Sequence, residues 1–230
     1  DDLGTAGPDY QFGWGLINAK AAADLIFTAA TNPAVPTIIE SAVTPSAPVQ
    51  EHLLNWDGLS PIRATLGWTD PAGTATPLHD SRTAKLVNNL NLRLVAPDGA
   101  AHLPFVMPFV GTWTTASMSA AATTGINNVD NVEQVLVAAP AKPGIWKAVV
   151  SYSGTLSGSL QNYALVISGS QKLPPNPLRA VPDYAASPAD VVVIQGANFD
   201  ASAAVAFFRA DQPDAPADVQ SASSTNLVCA

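Results

Sequence analysis

The chain is organised around the stretch LVNNLNLRLVAPDG, residues 86–99. Leu90, Leu92 and Leu94 alternate with polar side chains, which is the period of a β-strand with one buried and one solvated face. The Pro97-Asp98-Gly99 sequence that follows predicts a tight turn, because Pro fixes φ, Asp bonds its own backbone and Gly accepts a positive φ. The stretch therefore predicts a β-domain built from half-buried strands.

Composition excludes several classes of function. The 230 residues are 47% hydrophobic, enough for a sizeable core, but only 12% are charged and the formal net charge is −8. No cluster of Lys and Arg is present to neutralise phosphates, which argues against nucleic acid binding. No run approaches the roughly 18 apolar residues of a membrane-spanning helix. An acidic surface rich in Ser, Thr, Ala and Pro instead suits a secreted protein, and the lone Cys229 excludes an internal disulfide.

Prolines, glycines and changes of pattern divide the chain into four segments. Residues 1–30 end in an Ala-rich run that predicts a helix with Asn18 as its N-cap. Residues 31–170 alternate strand patterns with turn signals, which is typical of a jelly-roll-like β-sandwich. Residues 171–178 predict a stiff Pro-rich linker. Residues 179–230 again carry short strand patterns, so the predicted fold is mainly β with an N-terminal helix.

Two sets of residues resemble the subtilisin-like serine proteases, or subtilases. The first, Asp9-Tyr10-x-x-Gly13-Trp14-Gly15-x-Ile17-Asn18-Ala19, is similar to the segment that closes their catalytic domains, downstream of the catalytic serine. The second is similar to the β-sandwich that follows the catalytic domain in certain secreted bacterial subtilases, a module related in shape to the P-domain of kexin-like proteases. Its ordered pieces are Leu66-x-Trp68-Thr69-Asp70-Pro71, Leu86-Val87-Asn88-Asn89-Leu90-Asn91-Leu92, Pro97-Asp98-Gly99, Asn131-Val132-Glu133-Gln134-Val135, Gly144-x-Trp146 and Gln161-Asn162-Tyr163-Ala164-Leu165-Val166.

The resemblance gives each segment an expected origin. Residues 1–30 would be the C-terminal segment of a subtilase catalytic domain, and residues 31–170 a P-domain-like sandwich. Residues 179–230 look like an immunoglobulin-like module of the IPT/TIG type, but they are fewer than the roughly 100 residues of an immunoglobulin sandwich. We therefore expect this module to be partial and the chain to be a piece of a longer protein.

A catalytic triad is not found in the sequence. The Gly-Thr-Ser-Met-Ala-like motif of the subtilase serine is absent, and so is Gly-x-Ser-x-Gly. His52, His79 and His102 lie outside any His-Gly-Thr type signature, and no spacing typical of a zinc site occurs. The parent protein is expected to be a serine endopeptidase, whereas this chain is expected to be inactive alone.

Oxygen-bearing side chains gather near the ends of three predicted strands and suggest calcium. Calcium takes six to eight oxygen ligands from carboxylates, amides and carbonyls on such loops, and the resembled sandwiches often bind it. The candidate ligands are Asp70, Asn89, Asn91, Asp130 and Glu133. The resembled sandwiches commonly have Asp at the positions of Asn89 and Asn91, so fewer carboxylates predict weaker affinity. The alternative is that these side chains only form Asx-turns and strand-end caps.

Two functions remain open at this point. The first is the non-catalytic C-terminal region of a secreted subtilisin-like serine endopeptidase, which would stabilise the catalytic domain or aid binding of a protein or peptide substrate. The second is an adhesion or polysaccharide-binding β-protein with no enzymatic parent. Aromatic side chains that could face a sugar are Trp56, Trp68, Trp113 and Trp146, of which Trp68 and Trp146 fit a core better and Trp113 is expected to be exposed.

Overall fold

The computed structural model divides the chain into two compact units, Asp1–Gln171 and Lys172–Ala230. The structure describes residues 7–79, 83–108, 114–138, 142–169, 171, 176–181, 190–199, 203–207 and 215–229.

The first unit begins with a turn and a helix, α1 (Ala19–Thr31). The side chain of Asn18 accepts a hydrogen bond from the backbone N–H of Ala21 at 3.0 Å, so it caps the helix as predicted. The elements that follow are β1 (Ile38–Val43), β2 (Val49–Trp56), β3 (Ile62–Gly67), β4 (Asn89–Val95), β5 (Ala101–His102), β6 (Phe105–Val106), α2 (Thr115–Met118), β7 (Thr123–Thr124), β8 (Val132–Val137), β9 (Gly144–Ser153) and β10 (Gln161–Ser168).

Two four-stranded antiparallel sheets form a β-sandwich. One sheet has the order β1-β10-β3-β8 and the other the order β2-β9-β4-β5. The first strand pairs with the last, and the second with the last but one. Successive strands of the two sheets thus alternate between them, except β4 and β5, which pair with each other; this is the strand order of a jelly roll. The predicted mainly-β fold, with a sandwich and an N-terminal helix, is confirmed.

The core lies between the two sheets, where alternate side chains of the strands are buried. On β4, Leu90, Leu92 and Leu94 are buried, as their alternation predicts. The turn after β4 is also as predicted: Gly99 has φ 87°, and its N–H donates to the carbonyl of Ala96 at 2.9 Å. Other core side chains come from both sheets and include Leu54, Trp56, Ile62, Leu66, Trp68, Val135, Trp146, Val150, Tyr163 and Leu165.

Residues 171–178 lie partly in both units. Gln171 forms a bridge with Trp56, and its side chain donates to the carbonyl of Pro36 at 2.9 Å. Residues 172–175 are outside the described part of the chain, and residues 176–178 belong to the first strand of the second unit. The segment between the last contact of the sandwich and the next strand is therefore short.

The second unit contains β11 (Asn176–Val181), β12 (Val192–Ala197), β13 (Ala206–Phe207), β14 (Ala215–Pro216), β15 (Val219–Ala222) and β16 (Asn226–Cys229). Its main sheet has the order β11-β12-β16-β15. Phe199, Leu227 and Cys229 form a small buried cluster in this unit. Burial raises the pKa of the Cys229 thiol, which therefore stays protonated at neutral pH.

Candidate functional site

The candidate site is a junction of three loops at one end of the sandwich. Its loops are residues 68–70, which follow β3, residues 87–91, which lead into β4, and residues 127–133, which lead into β8. The backbone N–H of Trp68 donates to the carbonyl of Asn131 at 3.2 Å, and the Asn131 side chain donates to the carbonyl of Trp68 at 2.8 Å. Asn89 donates from its side chain to Oδ1 of Asn128 at 2.8 Å. The structure thus brings together the segments that carry all five predicted ligands.

Asp70 holds the second loop of the junction to the first. Its Oδ2 accepts a hydrogen bond from the backbone N–H of Val87 at 2.6 Å, and its Oδ1 accepts one from Asn88 at 2.8 Å. Hydrogen bonds to a carboxylate are stronger than those between neutral groups. Each carboxylate oxygen of Asp70 thus already accepts a backbone hydrogen bond, as expected of a carboxylate that shapes a turn.

Asn88, next to the predicted ligands, ties the junction to the neighbouring loops. Its side chain is 1% exposed and donates to Oε1 of Gln161 at 2.8 Å. Its Oδ1 accepts from the backbone N–H of Ser157 at 2.6 Å, while Gln161 donates onward to the carbonyl of Thr69 at 3.0 Å. Its role is to satisfy buried backbone and side-chain groups of these loops.

Asn89 and Asn91 project from the first part of β4. Asn91 donates from its amide to Oγ of Ser153 at 3.0 Å, which connects it to β9. Oδ1 of Asn89 is buried and has no hydrogen-bond partner among the described residues. An acceptor in this state is available to a bound cation or a water molecule.

Asp130 lies in a turn that Asn127 organises. Oδ1 of Asn127 accepts from the backbone N–H groups of Val129 at 3.0 Å and Asp130 at 3.1 Å, and its amide donates to Oδ2 of Asp130 at 2.9 Å. Asn127 is 2% exposed, so this turn is held from inside the protein. It places the Asp130 carboxylate near Glu133, whose ionisation its negative charge disfavours.

Glu133 occupies a core position. It lies opposite Leu66 across the β3–β8 pair and is fully buried. Its Oε2 accepts a hydrogen bond from the backbone N–H of Leu92 at 2.6 Å, whereas its Oε1 has no partner among the described residues. Burial raises the pKa of Glu133 to about 8; the charge of Asp130 raises it further, and the bond from Leu92 opposes the shift. The carboxyl group is therefore mostly protonated at neutral pH unless a cation compensates its charge.

A cavity of about 280 Å³ opens beside Glu133, and we call it the Glu133 cavity. Both polar and apolar side chains line it. The polar ones are Asn91, Arg93, Asn127, Glu133, Ser151 and Ser153, and the apolar ones are Leu92, Leu103, Pro104 and Ile126. Two of the five predicted ligands, Asn91 and Glu133, thus share one cavity.

The oxygen atoms that the junction could offer to calcium fit the ion in one respect and not in another. Glu133 and Asn89 each offer a buried oxygen with no donor in the described chain, which is what a hard cation requires. In the ranges that the structure describes, however, no three of His, Cys, Asp and Glu form a group that could hold a metal ion. Amide and carbonyl oxygens would therefore supply most of the ligands.

The tryptophans that could face a sugar are not exposed in the described residues. Trp56, Trp68 and Trp146 are buried in the sandwich core, and Trp113 lies outside the described residues. Nε2 of His52 lies 2.9 Å from the hydroxyl of Tyr163, across the two sheets. Burial lowers the pKa of His52 and raises that of Tyr163, so this pair is neutral at neutral pH.

Comparison with known proteins leaves the resemblance to subtilases as a prediction. No protein-family model matches the chain, and no curated protein sequence is significantly similar to it. Among the described residues, no helix is both long enough and apolar enough to cross a membrane.

Proposed function

We propose that this chain is the non-catalytic C-terminal region of a secreted subtilisin-like serine endopeptidase. The sandwich stabilises the catalytic domain of that parent enzyme or helps it to hold protein or peptide substrates. The chain itself contributes no nucleophile and no base, so the proteolytic chemistry belongs to the parent's catalytic domain.

The observation that carries this proposal is the unpartnered apolar surface of the N-terminal segment. Ile17 is 92% exposed, Phe27 is 68% exposed and Ile26 is 61% exposed, and no residue of α1 is buried. A helix of this length is marginal in water by itself, and most helices in proteins are stabilised by packing an apolar face. α1 therefore has the properties of a helix whose partner is another domain, as expected for the end of a catalytic domain.

The rest of the first unit does not depend on that segment for its core. The buried cluster begins at Val43 and contains no residue of α1 or of the turn before it. The core of the sandwich therefore forms without the N-terminal segment. This supports the role of the sandwich as a module added to the catalytic domain.

The proposal is tested by the reading frame upstream of residue 1 and by the enzyme that it encodes. We expect a Gly-Thr-Ser-Met-Ala-like motif there, and casein hydrolysis by the complete protein that a serine-directed inhibitor blocks. The present chain, purified alone, should hydrolyse no casein. An upstream frame without such a motif, or inhibitor-sensitive hydrolysis by the isolated chain, would contradict the proposal.

We further propose that the three-loop junction binds calcium, as the resembled sandwiches often do. Asn89 and Asn91 would supply amide oxygens, and Asp130 and Glu133 would supply carboxylates. With so few charged ligands the expected dissociation constant is about 10⁻⁴–10⁻³ M, the range of extracellular modules. Asp70 contributes by fixing the loop between β3 and β4.

A thermal melt tests the calcium site directly. A ligand that binds only the folded state at a hundredfold excess over its dissociation constant stabilises it by about 2.7 kcal/mol. The melting temperature should therefore rise by several degrees in saturating calcium and fall again with chelator. Glu133→Gln should abolish the rise, whereas Glu40→Gln, on the exposed side of β1, should retain it. An unchanged melting temperature across the calcium titration would leave these residues as turn formers.

A further inference from the structure

The stretch between β5 and β8 forms a small unit on the side of the sandwich, and we call residues 103–126 the insertion. β6 and β7 pair with each other rather than with either main sheet. The backbone N–H of Gly125 donates to the carbonyl of Pro104 at 2.9 Å, which closes the base of the insertion. α2 begins with a reciprocal cap between Thr114 and Ser117. In its described part, the insertion therefore has a defined backbone of its own.

The turn at residues 9–13 is equally well defined, and we call it the Asp9 turn. Asp9 and Gly13 exchange two backbone hydrogen bonds, at 3.0 Å and 2.9 Å. Oδ1 of Asp9 accepts from the backbone N–H groups of Gln11 at 2.8 Å and Phe12 at 2.7 Å, and Asp9 is 5% exposed. These bonds all lie within the turn.

The Asp9 turn contacts the insertion at three points. The hydroxyl of Tyr10 donates to the carbonyl of Pro108 at 2.7 Å. The side-chain amide of Gln11 donates to Oγ of Ser119 at 2.6 Å. Just before the turn, Gly7 lies so close to Phe105 that a Cβ atom at this position would be 2.7 Å from the ring. The N-terminal segment and the insertion thus meet through a phenol, an amide and a close backbone approach.

From this contact we infer that the insertion is the docking surface through which the sandwich recognises the Asp9 turn of the adjoining catalytic domain. The inference rests on the proposed function for the identity of that domain, but the contact itself lies within the present chain. The division of the N-terminal segment into two faces supports it. Tyr10 and Gln11 bind the sandwich, whereas Phe12, Trp14 and Ile17 remain 48%, 49% and 92% exposed and are left for the body of the catalytic domain.

Hydrogen exchange measured by mass spectrometry on the full chain tests the docking. Tyr10→Phe removes one hydrogen bond and should speed exchange of the amides at residues 105–107 and 115–120 by about fivefold, the factor that one ordinary hydrogen bond represents. Gly7→Ala should have at least that effect, since its Cβ would collide with Phe105. Gly154→Ala is the matched control, because Gly154 also has a positive φ but meets nothing within 4 Å.

The outcomes separate this inference from the proposed function. Faster exchange confined to the insertion, with the sandwich strands unchanged, would support the docking. Equal exchange in the parent chain and in both variants would overturn it, even if a protease motif is found upstream. If no such motif exists but the exchange responds as expected, the proposed function fails while the contact between the Asp9 turn and the insertion stands.

Discussion

Replacing Glu133 with glutamine should make the protein more stable above neutral pH. In the folded state the carboxyl group is fully buried and its pKa is raised from 4.5 to about 8, mainly by desolvation. The folded protein therefore retains a proton at pH 7 that the unfolded chain releases. Because the folded state binds more protons between pH 4.5 and 8, this group lowers the free energy of unfolding as the pH rises. Its favourable contribution is fully present below pH 4.5 and is lost as the pH passes 8.

The size of the effect follows from the interval between the two pKa values. One pKa unit corresponds to 1.36 kcal/mol, so raising the pH from 4.5 to 7 costs about 3 kcal/mol of stability. Glutamine does not ionise, so the variant does not lose this stability as the pH rises. Its amide oxygen can still accept the bond from the Leu92 N–H. At pH 5 the free energies of unfolding of the two proteins should differ by at most about 1 kcal/mol. At pH 8 the variant should be the more stable protein by about 3 kcal/mol or more.

Urea unfolding at pH 5, 6, 7 and 8 in the presence of chelator measures this difference, with the fluorescence of the three buried tryptophans Trp56, Trp68 and Trp146 as the signal. Glu40→Gln, at an exposed position, serves as the control and should follow the parent protein at every pH. If Glu133→Gln showed the same pH dependence as the parent protein, the carboxyl group would be ionised in the folded state and the argument from burial would be wrong.

Three further changes test other parts of the same unit. Burial lowers the pKa of His52, so the unfolded state binds the extra proton on acidification and the contribution of His52 to stability falls from pH 7 to 5; the free energy of unfolding of His52→Asn relative to the parent protein should therefore rise over that interval in urea titrations. Asn88→Ala leaves the Ser157 and Gln161 groups without partners and should cost about 3 kcal/mol by urea unfolding, against no measurable cost for Asn162→Ala at an exposed position. Asp70→Ala removes the acceptor of two backbone N–H groups and should lower stability by about 2–3 kcal/mol even in chelator; a loss seen only in calcium would make Asp70 a ligand.

Much of the sandwich could be predicted from local pattern. The alternation of Leu90, Leu92 and Leu94 predicted the inward face of β4. Such periodicity reports which side chains face the core, and both main sheets consist of strands with one buried face. The Pro97-Asp98-Gly99 turn was predictable for the same reason, since its geometry depends on those residues alone.

The details of the site depend on contacts between distant residues and were not predictable. On β8 the apolar Val132 is 36% exposed, whereas the acidic Glu133 is fully buried. The partner of Glu133, the N–H of Leu92, is 41 residues away in sequence. The contact of Tyr10 with Pro108 spans 98 residues, and no periodic pattern marks either residue. Local propensity says nothing about such pairs, because they form only when the two sheets and the insertion are assembled.

The identity of residue 133 bears on the calcium proposal. β5 pairs with β4 only at Leu94 and Val95, so the backbone N–H of Leu92 lies beyond the pairing with β5 and is satisfied from the other sheet by Glu133. Satisfying one N–H requires an acceptor of this length but not a charge, and glutamine would serve without the cost of desolvating a carboxylate. What a carboxylate adds is affinity for a cation, and the second oxygen of Glu133 is buried with no donor. If calcium stabilises the parent protein and not Glu133→Gln, that charge has a function; if neither protein responds to calcium, the acid at position 133 is a cap that a neutral side chain would improve.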